Sequence, residues 1–473
     1  MGLLVLLLAL PARQAAWAQT PPVARADVPL RNWYFAEGNG RHEFQTFFTI
    51  LNLAAQSASV TVAYQRDDGI RLTQWLGVEP NARLSFNAND VVGPRAFGAT
   101  FSADQDVVVE RSNTWGPGQN AETTPGFAPK SMRDWYFAEG TTRGHVATYF
   151  VSQNLADAPA TVNALFTRDD GSTRTRSFTL APRARDAFRM NDLLPDTAFS
   201  AKFSADQDIM MERTIMLETD RPTAPPRART GDARRLNGDA GGGVNPGANA
   251  IGLFGGLGYT PAGTVVGARD WRFAEGSTRR PYATFFVLFN PSAAPASVTL
   301  QYALPDGSAP SQSVRLAPLG RLALSPGDLA PGTDFGTAIT ADQPIVVERS
   351  YTSTGDGLYG ALGFTPAPAR TDSKSWYFAE GATTGGNELY FVLYNLTDRP
   401  AQVRATFFGD DGRTQERVLG VAGNGRLSVR ANDLVPDRTF SSRFLSDQDI
   451  VVERTRYFSG QSGFTTLGAG VGR

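Results

Sequence analysis

Apolar and polar positions alternate along this chain in short stretches, and the same stretches return four times. Phe47-Phe48-Thr49-Ile50-Leu51 is apolar on both faces, as is its third counterpart Phe285-Phe286-Val287-Leu288-Phe289. Such a run predicts a strand covered on both sides. An asparagine follows every time (Asn52, Asn154, Asn290, Asn395), then a short Pro/Ala/Ser loop. Next, Val60, Val62 and Tyr64 alternate with Thr61 and Ala63, the period-two signature of a half-buried strand. Asp68-Gly69 turns the chain, as do Asp170-Gly171, Asp306-Gly307 and Asp411-Gly412, because glycine takes the positive φ of a hairpin turn. Two more strands are expected over 72–78 and 83–87, a turn or short helix near 89–91, and a last strand Val107-Val108-Val109-Glu110-Arg111. A glycine-rich connection then reaches a Gly-aromatic pair, Gly126-Phe127, Gly258-Tyr259, Gly363-Phe364 or Gly463-Phe464, read as a closing hairpin.

Each unit opens on one motif: Trp33-Tyr34-Phe35-Ala36-Glu37-Gly38, then again from Trp135, from Trp271 (with Arg272 for the tyrosine) and from Trp376. Each closes on Glu-Arg, the glutamate 77 residues after its tryptophan. A gapless repeat means one module copied four times. Short strands with frequent turns in roughly 100 residues predict an all-β chain of four tandem antiparallel β-sandwich modules, immunoglobulin-like. The expected map is 1–18 signal peptide, 19–30 leader, 31–130 module 1, 131–218 module 2, 219–250 linker, 251–370 module 3 with a preceding hairpin strand, and 371–473 module 4. The linker is expected because Glu212 to Trp271 spans 59 residues, against 25 and 28 at the other two connections, and its composition is Pro/Arg-rich and then Gly-rich.

Composition narrows the function. A net charge of -1 advertises no nucleic acid. Cysteine is absent, so each module must be held by its core without disulfides. The run from Gly2 to Leu10 followed by Ala16-Trp17-Ala18 reads as a secretory signal, although no basic residue precedes the run. No second apolar segment of spanning length follows, so a secreted or cell-surface protein without a membrane span is expected.

The recurring polar residues are the candidate chemistry. Each unit repeats an arginine (Arg83, Arg185, Arg321, Arg426), an aspartate (Asp90, Asp192, Asp328, Asp433), an Asp-Gln pair beginning at Asp104, Asp206, Asp342 or Asp447, and the closing Glu-Arg. Alternation puts Arg111 on the face of Val107 and Val109, and Glu110 on the opposite one. Charges on so apolar a strand need partners. Glu37 with Arg111, Glu139 with Arg213, Glu275 with Arg349 and Glu380 with Arg454 are therefore expected to clasp the first strand of each module to its last. The competing reading places Glu37 and Arg111 in a ligand cleft. Trp33, Trp135, Trp271 and Trp376 are either core anchors or platforms for stacking sugars. Asp67-Asp68-Gly69 and Asp104-Gln105-Asp106 resemble calcium loops, but Pro305 and Pro344 remove a carboxylate from each in module 3, so turn chemistry explains them better. No cofactor or metal site is expected. The two histidines, His42 and His145, sit at non-equivalent positions, and no nucleophile–base motif is present.

The opening motif, the asparagine after the aromatic strand and the Asp-Gln…Glu-Arg close resemble an uncharacterised repeat domain of secreted bacterial proteins. The middle of each unit resembles bacterial cell-adhesion-related Ig-like modules. The first resemblance implies secretion and tandem β modules, and the second implies adhesion or spacer roles. The expectation is a non-catalytic extracellular adhesion, spacer or scaffold array. Its partners would be an extracellular polysaccharide or a surface protein. The alternative is a carbohydrate-binding protein or polysaccharide hydrolase using Glu37-type and Asp104-type carboxylates.

Overall fold

The computed structural model describes residues 30–115, 120–127, 132–144, 146–217, 258–259, 264, 267–353, 360–366, 373–458 and 462–471. The expected signal peptide, nearly all of the leader, and the 219–250 linker lie outside these residues. Module 1 sets the pattern with β1 (Asn32–Phe35), β2 (Gln45–Asn52), β3 (Ala58–Arg66), β4 (Arg71–Val78), β5 (Arg83–Asn87), α1 (Asn89–Val92), β6 (Phe97–Ala103), β7 (Val107–Trp115) and β8 (Asn120–Pro125). Two antiparallel sheets, ordered β1-β6-β3-β4 and β5-β2-β7-β8, enclose the core. The expected antiparallel sandwich forms in all four modules, and among the described residues no α-helix exceeds four residues. In module 3 one strand, Gly336–Ser353, runs through both sheets.

Recurrent residues that looked chemical turn out to hold turns. Asn52 Nδ2 donates to Gln56 O (2.7 Å), Val78 O (3.0 Å) and Glu79 O (3.1 Å), and its Oδ1 accepts from Ala54 N, so one buried amide ties two loops together. Asn154, Asn290 and Asn395 do the same. Asp104 accepts from Ser59 N at 2.8 Å, and Asp206, Asp342 and Asp447 accept from Thr161, Ser297 and Gln402. The hairpin glycines Gly69, Gly171, Gly307 and Gly412 have φ between 74° and 83°, as the turn requires.

The core is aromatic. Phe48 meets Phe101 edge-on at 4.9 Å and Phe35 at 5.1 Å, beneath Val60, Val62, Val107 and Val109. The second face of β2, apolar in sequence, is explained by a neighbour: each module covers the next one. Gly98 of module 1 lies where a Cβ would come within 2.6 Å of Gln153 in module 2, and Gly336 of module 3 similarly faces Tyr394 of module 4.

One boundary and one repeat equivalence differ from expectation. Gly258–Tyr259 pairs with Ile215 and Met216, and Thr264 bridges Tyr136, so these residues complete module 2 and are not a leading hairpin of module 3. Gly126-Phe127 is also not the counterpart of the other Gly-aromatic pairs. Strand register sets Arg111 opposite Thr124 and Arg454 opposite Thr466, which places Glu122 where module 4 has Phe464 and module 2 has Tyr259. Phe127 instead bridges Tyr34.

Candidate functional site: the seams between modules

The opening motif and the closing Glu-Arg meet within a module through a peptide oxygen, and across module boundaries through their carboxylates. On β7 successive side chains point to opposite faces. Arg111 turns into its own module, 5.5 Å above the Phe35 ring, while Glu110 turns out toward module 4. Arg111 Nη1 donates to the peptide oxygen of Glu37 at 2.7 Å and to both carboxylate oxygens of Glu212 in module 2 at 2.9 Å. The Glu37 amide also donates to Glu212, at 2.5 Å. The Glu37 carboxylate turns to Arg185 of module 2, whose Nε donates to Ala36 O at 2.8 Å.

The same wiring repeats. Arg213 donates to Glu139 O and to Glu348 at 2.7 Å, and the Glu139 carboxylate accepts from Arg321 at 2.7 Å. Arg349 donates to Glu275 O (2.6 Å) and to Glu453 (2.7 Å), and Glu275 accepts from Arg426 at 2.9 Å. Arg454 donates to Glu380 O and to Glu110 at 3.0 Å, which joins module 4 back to module 1. The four modules therefore form a closed ring of head-to-tail interfaces. The last strands meet around its centre: β8 adjoins 462–467 and 258–259, and 360–366 adjoins the same two.

This corrects the expected clasp. Within a module Arg111, Arg213 and Arg349 bond the peptide oxygens of Glu37, Glu139 and Glu275, and the carboxylates of those glutamates go to arginines of the next module. The physical reason is the alternation on β7: the two charges of Glu-Arg cannot face the same neighbour, so each serves a different module. In module 4 the carboxylate of Glu380 does stay near Arg454, at 3.8 Å.

Every letter of the motif has a packing role. The indoles of Trp33, Trp135, Trp271 and Trp376 are at most 3% exposed. Their N–H groups donate to Val107 O (2.8 Å), Ile209 O (2.9 Å), Ala268 O (3.1 Å) and Ile450 O (2.8 Å). They are core anchors with no face left for a sugar, which corrects the stacking reading. Tyr34 and Ala36 enter the core of module 2, Tyr136 and Ala138 that of module 3, Ala274 that of module 4, and Tyr377 and Ala379 that of module 1. Gly38 is glycine because a Cβ would lie 2.5 Å from the Phe97 ring; Gly140, Gly276 and Gly381 face Phe199, Phe335 and Phe440 likewise.

Burial dominates the electrostatics. Arg111, Arg213, Arg349 and Arg454 are wholly buried, and Glu110, Glu212, Glu348 and Glu453 are at most 1% exposed. Burial pushes the Glu212 carboxyl up to about 7 against the pull of Arg111, and it also raises Glu110, Glu37, Glu139 and Glu275. Burial acts the same way on Glu380, but Arg456, Arg454 and Arg83 outweigh it and hold that carboxyl low. The sequence reading missed Glu122. It is 1% exposed, takes a bond from Asn113 at 2.8 Å, and lies 3.5 Å from Arg111. Only the register of β8 against β7 reveals it.

Among the described residues no cluster of metal-ligating side chains occurs, and no helix is long and apolar enough to cross a membrane. No family model and no curated protein matches the chain. Solved structures give low likenesses. A Thermotoga maritima protein, 1070, matches at 18% identity over 22% of this chain and 97% of its own, with a TM-score of 0.20. The Anabaena sensory rhodopsin transducer matches at 28% over 17% and 94%, with a TM-score of 0.16. A tetra-tandem repeat from the extending region of a large adhesion protein matches at 11% over 89% and 93%, with a TM-score of 0.11. No role is assigned from them.

Proposed function

We propose that this chain is a non-catalytic extracellular scaffold in which four modules form one compact platform, used for adhesion or for holding partners at the cell surface. The observation that carries the reading is where the recurring polar residues are spent. The Glu37-type and Arg111-type sets are bound into the seams, and the Asp104-type set holds turns, so these repeated groups serve assembly. Closure also revises the spacer reading, since a ring does not extend along a line. Four similar modules held together favour multivalent contact, where weak sites gain from effective concentration. Export would follow from the N-terminal apolar run.

One observation favours carbohydrate as the partner. Trp75 on the edge strand β4 is 76% exposed, while modules 2, 3 and 4 carry Ser177, Ser313 and Val418 at that position. The fold therefore does not demand the indole. It ends a row of uncharged polar residues across the sheet, Asn32, Ser102 and Thr61, which suits a sugar ring's apolar face and its hydroxyls.

The mature protein is incubated with insoluble cell-wall and plant polysaccharides, and both retention and reducing-end release are measured. Retention without release, weakened by Trp75→Ala, is the expected result. Release by the unmodified protein would make it a hydrolase and overturn the proposal.

A further inference from the structure

We infer that the ring opens reversibly at one place, the seam between module 4 and module 1. Modules 1 and 4 are not consecutive in the chain, so noncovalent contacts alone close this seam. Its wiring also differs from that of the other three. At the seams of modules 1–2, 2–3 and 3–4 the motif glutamate accepts from the next module's arginine: Glu37 from Arg185, Glu139 from Arg321, Glu275 from Arg426. The equivalent pair at the closing seam would be Glu380 with Arg83, and it is not made. Arg83 pairs instead with Asp410, whose side chain is 52% exposed.

Two residues of module 4 produce this change. Arg456 stands where the other modules have Asn113, Ile215 and Tyr351, and it takes the Glu380 carboxylate at 2.8 Å from within its own module. Thr384 stands where they have Arg41, Arg143 and Arg279. In modules 1 and 2 that arginine holds the hairpin aspartate, Asp67 or Asp169. With threonine there, Asp410 is free to receive Arg83. One of the two ion pairs across the closing seam has thus moved from a buried acid to a half-exposed one, where water and salt weaken it. The apolar contacts are kept, with Tyr377 3% exposed and Ala379 buried in module 1. The seam of modules 3–4, where Arg272 replaces the tyrosine, keeps both ion pairs and its chain connection. The closing seam is therefore the one set to part while the modules stay folded.

The absence of cysteine gives a clean test. Ala36, Ala138, Ala274 and Ala379 are equivalent, 0% exposed, and each inserted in the neighbouring module. Four single variants of the full chain, Ala36→Cys, Ala138→Cys, Ala274→Cys and Ala379→Cys, are labelled with a thiol reagent under native conditions. Ala379→Cys is expected to react about tenfold faster than the others. Adding Thr384→Arg and Arg456→Asn should slow it toward them. Equal rates at all four sites, or a faster rate at Ala274→Cys, would overturn the inference. A readout on the unmodified chain stands beside it. The Glu380 amide, bonded to Glu110 at 2.6 Å, should exchange its hydrogen faster than the Glu37 and Glu275 amides, bonded to Glu212 and Glu453 at 2.5 and 2.6 Å. Slower exchange at Glu380 would overturn the inference equally.

Discussion

The interior of a module and the seam between two modules are equally dry, yet they are built from opposite materials. Inside module 1, Phe35, Phe48, Phe97 and Phe101 pack with valines, and any side chain of similar shape would serve. At the seam a wholly buried arginine meets a wholly buried glutamate of the next module, and each is useless without the other. The lesson is one of specificity. An apolar patch would let modules stick in several ways, whereas a buried charge must find its one counter-charge or leave a large desolvation cost unmet. The Arg111 guanidinium illustrates this: burial opposes its charge, but Glu212, Glu122 and Glu37 overcome that and hold its proton more tightly than usual.

The largest effect is expected at Arg111. Arg111→Ala strands Glu212, and the first denaturant transition of the full chain should fall by about 3–5 kcal/mol. Replacing both partners with apolar residues of similar volume, Arg111→Met with Glu212→Leu, should recover most of that loss. If the double variant is as weak as the single one, the charges do more than specify the pairing.

A smaller effect should appear with pH. Unfolded, the Glu212 carboxyl gives up its proton near 4.5; folded, it keeps it until about 7. Between those values the folded state binds more protons, so this group's contribution is fully present below 4.5 and is lost as pH rises through 7. Stability of the seam between modules 1 and 2 should fall from pH 5 to pH 8, and Glu212→Gln should flatten that slope. No slope from this group over the same range would show that the pair is ionised throughout.

The smallest change is expected from a trimmed core. Ile50→Val should cost about 0.5–1.5 kcal/mol in a melting experiment and leave thiol access at the seams unchanged. A change in seam access would mean that core and seam are not separable.

Much of the site was visible as residue types without their partners. The four Glu-Arg pairs, their opposite faces on the last strand and their need for counter-charges all follow from alternation. Their partners do not. In a gapless repeat Glu37 and Glu212 both recur in every module, so a bond within a module and a bond to the next read alike in sequence. Glu122 was hidden for a related reason: Gly126-Phe127 imitates a pair that register places five residues earlier.

The sequence by itself determined four antiparallel sandwiches, their hairpin turns and the strands covered on both faces, because side-chain period and turn chemistry are local. Only the tertiary structure decided that Tyr34 and Ala36 leave their own module, that Trp33 faces inward, and that Arg454 reaches back to Glu110 over 344 positions to close a ring. Those outcomes depend on how one module is rotated against the next. That rotation is set by the sum of many contacts across the seams, and no local stretch of the chain encodes it.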